Sequence, residues 1–535
     1  FTQANGSTGN YVKFTAVNAT GFTLTATPGT STDSFLRAPV NGIQIVPSTG
    51  TGQLPSSWTS VIPLPVNPIG VANLPNGKLL MWSAFDTYSF ETDIGNSPGQ
   101  TYTAIFDPAT NTATQVLVTN TGADFFCPGT TNLPDGRVLI NGGSSSPKTS
   151  IYNWSSNSWS ASGLMNVPRG YEGNTLLSNG KVLTFGGSWS GGTTTDKKGE
   201  VWSNGNWTLL SSLSSANVIG PDPQGVYRGD NHLWLFATSN GNVFHAGPSS
   251  QMNWISTSGT GSIQSAGNRG SDPFSINGVA AMYDVGMILK AGGAPAYQQP
   301  TSGTISATNA TYLINITGGY RSTPVVTQLA PMAYQRAFAS GVVLPNGNVV
   351  VVGGQTIPQP FTDTSAILVP EIWNPATQTF SRLAPMATPR TYHSTAILMA
   401  DGRVFVGGGG QCGQGCAQNH LNAEILTPPY LLNADGTTAI RPVIQSAPTV
   451  ATLGSQITVS TDSAVTSFAI MRLSSITHTV NNDQRRIPLT PTSGGTNTYT
   501  LTIPSDPGIV LPGYYMLFAL NTQGVPSVST TILIH

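Results

Sequence analysis

Short apolar runs alternate with polar, turn-forming residues along this chain, and one unit recurs. It is an apolar run, a turn carrying glycine, and a second apolar run ending in small residues. The copies are VANLPNGKLLMWS (71–83), TTNLPDGRVLINGG (130–143), NTLLSNGKVLTFGG (174–187), LWLFATSNGNVFHAG (233–247), AAMYDVGMILKAGG (280–293), GVVLPNGNVVVVGG (341–354) and TAILMADGRVFVGGG (395–409). Asn-Gly or Asp-Gly between β-rich runs predicts a hairpin, closed by a type I′ turn with positive φ at both central residues.

Seven such hairpins, completed by outer strands such as TAIFDPATNTATQV and PEIWNPATQTFSRL, predict an all-β, seven-bladed β-propeller over 48–440. The spacing scatters around the ~50 residues of a kelch blade. A long sandwich or several small β domains is the alternative. Glycine pairs after the inner strands are expected to let the blades crowd the central axis, where Cβ atoms would collide. After Pro442 the alternation lengthens, as in SQITVSTD and YYMLFAL, and predicts an immunoglobulin-like β-sandwich over 441–535. Residues 1–47 (YVKFTAV, GFTLTAT, GIQIV) read as a short N-terminal β segment, too small to bury its own core. It is expected to be a remnant of a larger β module or strands that dock elsewhere.

Composition narrows the function classes. Charged residues are 8% of 535 and the net charge is -1, so no basic surface exists to neutralise phosphates, and nucleic acid is not an expected partner. No apolar run approaches the ~20 residues of a membrane-spanning helix. The chain begins at Phe1 without Met and reads as a mature or trimmed form. Six N-x-S/T sequons and the low charge point to a secreted, extracellular protein. Of three cysteines, Cys412 and Cys416 are close enough to bridge in an oxidising compartment. A metal site with His420 is the weaker reading, since only three ligands are local. Cys127 is left odd and needs a reason.

Candidate chemistry is scattered: Cys127 in FFCPG, Tyr171 in PRGYEG, Trp189 in GGSWSGG, Tyr392 and His393 in PRTYHS, and His478 in THTVNNDQRR. Two imidazoles and two phenols suit a tetragonal Cu(II) centre better than zinc or calcium. Each residue also has a bland reading: a small buried thiol, a capping phenol beside Arg169, a half-exposed aromatic, a loop histidine. Adjacent strand residues point to opposite faces, so Tyr392 and His393 meet one metal only if the backbone is irregular there.

These strings, with YRGDNHLWLF and the TYH before DGRVFVGGGG, stand in one order over roughly 50–535 and resemble the galactose oxidase and copper radical oxidase family. The resemblance implies a kelch propeller followed by a sandwich whose loop threads the propeller axis. It implies one copper ion held by Tyr171, Tyr392, His393 and His478, with a Cys127–Tyr171 thioether as protein-derived radical cofactor and Trp189 stacked over it. Tyr392 is the implied general base. The implied reaction converts a primary alcohol, first of all the C6-OH of galactose or galactosides, to the aldehyde while O2 becomes H2O2. Arg228, Tyr334, Gln335, Phe361 and Phe90 are the implied substrate contacts, although the segment around Phe90 is longer than the family pattern. Cys412–Cys416 resembles the family's close-spaced disulfide. The implied partners are a small alcohol or sugar and O2, with a peroxidase as activator; the protein is expected to be a monomer. The family's carbohydrate-binding sandwich is absent, so polysaccharide anchoring is not expected. Aryl or aliphatic alcohols, or aldehydes as in glyoxal oxidases, are the nearest alternatives. A non-catalytic kelch binding module is the rival class.

Overall fold

A computed structural model describes residues 2–3, 10–11, 53–90, 99–192 and 196–535. Two compact units are present, Phe1–Gln53 and Leu54–His535. Of the first, an antiparallel pair of Thr2–Gln3 with Asn10–Tyr11 is described; the rest of the β segment expected over 1–47 lies outside the described residues.

In the second unit all seven hairpins form. Their inner pairs run from Gly70–Asn73 with Leu79–Trp82 to Ser394–Leu398 with Val404–Gly408. Each becomes a four-stranded blade, and the last is completed by an early segment: Ser57–Trp58 pairs with Asn422–Thr427. That pairing closes the ring, because the last blade takes its outer strand from the start of the propeller. The fold is all-β, a seven-bladed kelch propeller followed by an immunoglobulin-like sandwich.

The turns differ from the expected type I′. In Leu74–Lys78, the Gly77 N–H donates to Leu74 O (3.0 Å) and the Leu74 N–H to Lys78 O (3.0 Å), and only the glycine has positive φ. This is a type I turn followed by a left-handed residue. The same bonds recur at Gly136, Gly180, Gly347 and Gly402. The Asn or Asp before the glycine contributes its side chain instead of a left-handed backbone: Asp135 Oδ1 accepts from the Arg137 N–H (3.1 Å) and Asp401 Oδ1 from the Arg403 N–H (2.9 Å). Among the seven inner hairpins, Asn240-Gly241 alone has both φ values positive, 60° and 69°.

The glycine pairs act at the seams between blades. The Gly354 N–H donates to Arg390 O of the next blade (2.7 Å), and a Cβ on Gly353 would stand 2.4 Å from that same oxygen. Beside three of the seams lies a buried ion pair from a repeated spacing, Met165-x3-Arg169, Met332-x3-Arg336 and Met386-x3-Arg390. These arginines meet Glu200 (3.0 Å), Glu371 (2.9 Å) and Glu424 (3.5 Å). Each carboxylate also accepts backbone N–H groups of its Met–Arg loop, so the buried charges are satisfied from both sides.

The sandwich packs a four-stranded sheet on a five-stranded one around Val459, Phe468, Ile470, Leu501 and Leu517. Between Ser467–Arg472 and Arg486–Leu489 the chain leaves the sandwich and enters the propeller axis. Ser475–Thr477 adds a fifth strand to the first blade. Asp483 Oδ1 accepts from Thr175 Oγ1 (3.0 Å) and the Leu176 N–H (2.9 Å). Asn482 accepts from the Leu235 N–H (3.1 Å), and Gln484 from the Val343 N–H (3.1 Å). The polar string NNDQ thus satisfies backbone groups that the inner strands leave open toward the axis.

Candidate active site

One register builds the site. Nine positions before each hairpin's turn glycine stand Pro68, Cys127, Tyr171, His232, Asn277, Phe338 and His393. All but the proline have positive φ, between 56° and 67°. Such a backbone is uncommon for bulky residues and costs of order 1–3 kcal/mol at each. Hydrogen bonds between neighbouring blades hold it: the Tyr171 N–H donates to Cys127 O (2.9 Å) and the His232 N–H to Tyr171 O (2.8 Å). His478 reaches the same mouth from the axial loop, itself left-handed at φ 49°.

Cys127 Sγ lies 3.4 Å from His478 Nε2 and 4.0 Å from His393 Nε2, with all three atoms within 4.8 Å of one another. The Tyr171 and Tyr392 hydroxyls share a short hydrogen bond, and the Cys127 thiol and Tyr171 phenol lie close enough to shift each other's titration. The left-handed turn at His393 breaks strand alternation, so the Tyr392 and His393 rings stack at 3.8 Å instead of facing apart. These five side chains are at most 5% exposed.

Both histidines are held in a ligand-ready tautomer. His393 Nδ1 meets Gly410 O at 2.5 Å, an acceptor only, so Nδ1 carries the proton. His478 Nδ1 lies 2.7 Å from Thr477 Oγ1, whose hydrogen goes to Ile69 O (3.2 Å), so Nδ1 again donates. Each Nε2 is left bare toward the cluster. Burial pushes His393 down to about 3 and His478 well below its usual value, and drives the Cys127 thiol and both phenols up. Without a cation the cluster is therefore uncharged. A divalent cation reverses that balance, because phenols that release protons to it gain a charged partner. The donors present fit copper: two bare imidazole nitrogens, two phenol oxygens and one thiol, all buried.

The buried imidazoles set a pH dependence. His232 and His245 are also held down to about 3 by burial, and all four gain protons on unfolding below the usual histidine value of ~6.5. Between about pH 3 and 6.5 the unfolded chain binds more protons, so stability falls with pH. Glu172, raised to about 7 by burial, opposes this but is outnumbered. Thermal melts of copper-free protein should shift steadily downward from pH 7 to pH 4; a flat profile would contradict neutral burial.

Around the cluster stands an aromatic wall. Trp189 covers Tyr171 (ring centroids 4.7 Å apart, planes 33°). Phe126 stacks on Phe90 (4.7 Å), Phe90 on Phe361 (5.4 Å), and Phe361 meets Tyr392 edge-on (5.1 Å). Trp189, Tyr297 and Phe361 each come from the connection after their blade's glycine pair. The Cys412–Cys416 disulfide (Cα–Cα 5.9 Å) closes a loop that braces this wall, since the Gly413 N–H donates to Tyr88 O (2.9 Å) and Gln411 Nε2 to Ser89 O (2.9 Å). His420 pairs with Asp363 (2.9 Å).

Two expected substrate contacts lie elsewhere. Tyr334 belongs to the Met332–Arg336 loop at a blade seam: its N–H faces Glu371 and its ring lies against Arg336 (5.4 Å) and Arg382 (5.5 Å). Gln335 is exposed on that loop. The tyrosine that enters the site is Tyr297, whose hydroxyl donates to Tyr392 (3.1 Å) and meets His232 Nε2 (3.1 Å). The guanidinium of Arg228 lies 5.1 Å from the Tyr297 ring centroid, and its buried Nη1 has no partner among the described residues. Tyr297, His232 and Phe126 were not picked out from sequence. The nine-residue register finds His232, and the position after a glycine pair finds Tyr297.

Comparison with known proteins places this geometry. Residues 94–419 match the family model described as Glyoxal oxidase N-terminus, and 441–534 that of the Galactose oxidase-like, Early set domain. A galactose oxidase of Gibberella zeae is 43% identical over 497 residues, 91% of this chain and 71% of that protein. An aldehyde oxidase GLOX of Vitis pseudoreticulata is 34% identical over 223 residues, 38% of this chain and 42% of that protein. A solved structure described as a novel fungal alcohol oxidase with catalytic diversity among the AA5 family, in complex with copper, has a TM-score of 0.85 and 40% identity, covering 91% of this chain and 100% of that one. On these matches, the chain belongs to the galactose oxidase-like family of copper radical oxidases, and is a copper-dependent alcohol oxidase with a protein-derived cofactor.

Proposed function

We propose that the enzyme is secreted and oxidises a primary alcohol carried on a sugar, the C6-OH of galactose or a galactoside, to the aldehyde as O2 becomes H2O2. We assign copper to Tyr171, Tyr392, His393 and His478, and the protein-derived cofactor to Cys127 and Tyr171. The convergence of two bare Nε2 atoms, two hydroxyls and the unpaired thiol carries this reading. When bound, copper supplies one oxidising equivalent of the two that alcohol oxidation needs, the cross-linked phenol supplying the other.

The chain's own residues do the rest. Tyr392 is the proton acceptor for the substrate hydroxyl, and its hydroxyl is already aligned by Tyr171 and Tyr297. Trp189 and Phe126 keep water from Tyr171, where the carbon-bound hydrogen is taken up. Arg228 has a free donor for adjacent sugar hydroxyls, and Phe90 and Phe361 offer faces for the apolar side of a pyranose. The Cys412–Cys416 bridge supports an oxidising, extracellular setting. A monomer activated by a peroxidase completes the reading.

Peroxide release from galactose, raffinose, benzyl alcohol, butanol and glyoxal tests the substrate class. Galactose and raffinose should lead; a clear preference for butanol refutes the sugar. Arg228→Ala should raise the sugar KM by roughly 10–100-fold, the worth of a lost charged hydrogen bond, with a smaller change in kcat. An unchanged KM removes Arg228 from the substrate site.

A further inference from the structure

A buried cation that the reaction does not use lies behind the aromatic wall. Lys197 Nζ is fully buried and donates to Pro168 O (2.6 Å), Ser190 O (2.9 Å) and Gly191 O (2.9 Å), which uses all three of its hydrogens. Pro168 is three residues before Tyr171, and Ser190 and Gly191 directly follow Trp189. One ammonium therefore ties together the two segments that carry the stacked rings.

A second anchor grips the turn from its other end. Buried Asp230 accepts from the Ser188 N–H (2.9 Å) and from Ser188 Oγ (3.0 Å), and Ser190 Oγ donates to Gly143 O (2.9 Å). The indole packs against bare backbone: a Cβ on Gly170 would stand 2.7 Å from Trp189 Cε3. Blade closure does not need Lys197, because Arg169 and Glu200 already latch that seam. Burying an ammonium is expensive unless it is well satisfied: burial and the nearby Arg169 push Lys197 down to about 8, while three accepting carbonyls and the charges of Asp230 and Glu172 compensate in part. The 188–191 turn belongs to no strand of its blade; beyond the single bridge of Ser188 to Gly170, these side-chain contacts are what fixes it.

We propose that Lys197 and Asp230 are positioning residues that hold Trp189 over the Tyr171 ring and so set the persistence of the radical formed there. They act through the indole and touch neither substrate nor metal. The inference rests on the assignment of the cofactor to Cys127 and Tyr171, and it makes the stack a property of a charged clamp rather than of aromatic packing alone.

The test uses the copper-loaded holoenzyme and reads the optical and paramagnetic signal of the radical rather than turnover. Lys197→Met should keep copper content and the cross-link, read as gel mobility, while the radical half-life falls by about tenfold or more. Ser188→Ala, which removes only the hydroxyl bonded to Asp230, should shorten the half-life in the same direction and decides the matter if Lys197→Met does not fold. In a Trp189→Phe background neither change should shorten it further. A wild-type half-life in the folded variants overturns the proposal, as does a shortening that persists in full without the indole. Absence of the cross-link or radical in the unaltered enzyme would instead overturn the cofactor assignment.

Discussion

Replacing Cys127 with alanine is expected to lower alcohol oxidation by at least about 10³-fold, equivalent to about 4 kcal/mol of barrier. Cys127 is the one cysteine outside the disulfide, fully buried, and its sulfur faces Tyr171 and two histidines rather than another thiol. Without a sulfur substituent the phenol loses the delocalisation that makes its radical accessible, and half of the two-electron capacity goes with it. The fold should persist, because removing one buried sulfur leaves a small cavity worth only about 1 kcal/mol. Two readouts check this independently of turnover: anomalous gel mobility of the copper-loaded protein should vanish, and peptide mapping should recover an unmodified Tyr171 peptide. If copper-loaded wild type already yields separate, unmodified Cys127 and Tyr171 peptides, the cofactor assignment is wrong.

Arg336→Ala is expected to cost about 3–5 kcal/mol of stability, the usual penalty for stranding one partner of a buried ion pair. Arg336 is fully buried and bonds Glu371 (2.9 Å), Gly353 O (2.8 Å) and Val369 O (2.5 Å). Its loss leaves a buried carboxylate with backbone N–H partners alone and opens a seam between blades. Lys78→Ala supplies the contrast, since the Lys78–Asp107 pair (3.0 Å) is 42% and 32% exposed at its side chains and should cost below about 1 kcal/mol. Denaturant unfolding of both variants measures the difference, and equal losses would contradict a latch at this seam. Copper content should be unchanged in either variant.

Much of the fold was legible because its decisive contacts are local. Each inner hairpin joins residues only a few positions apart, and the apolar runs with their Asn-Gly or Asp-Gly turns specify it without help from elsewhere. The departure from type I′ turns has a local cause as well. The Asn and Asp side chains bond the backbone two residues on, which stabilises a type I turn with one left-handed glycine. Tyr334 and Gln335, expected at the substrate, belong instead to the Met332–Arg336 loop, one copy of the repeated Met-x3-Arg latch. The tyrosine that enters the site, Tyr297, lies in a loop without regular periodicity.

By itself, the sequence determined the hairpins, their number, the change to a sandwich after Pro442, and the types of donor available. It also marked Cys127 as unpaired. Which donors meet was decided by tertiary structure alone. Cys127 and His478 are 351 positions apart, and their approach depends on ring closure by Ser57–Trp58 and on NNDQ seating against inner strands of several blades. The left-handed backbone at Cys127, Tyr171 and His393 is likewise unfavourable in isolation. It persists because neighbouring blades hydrogen-bond it in place, a force that no local stretch of sequence contains.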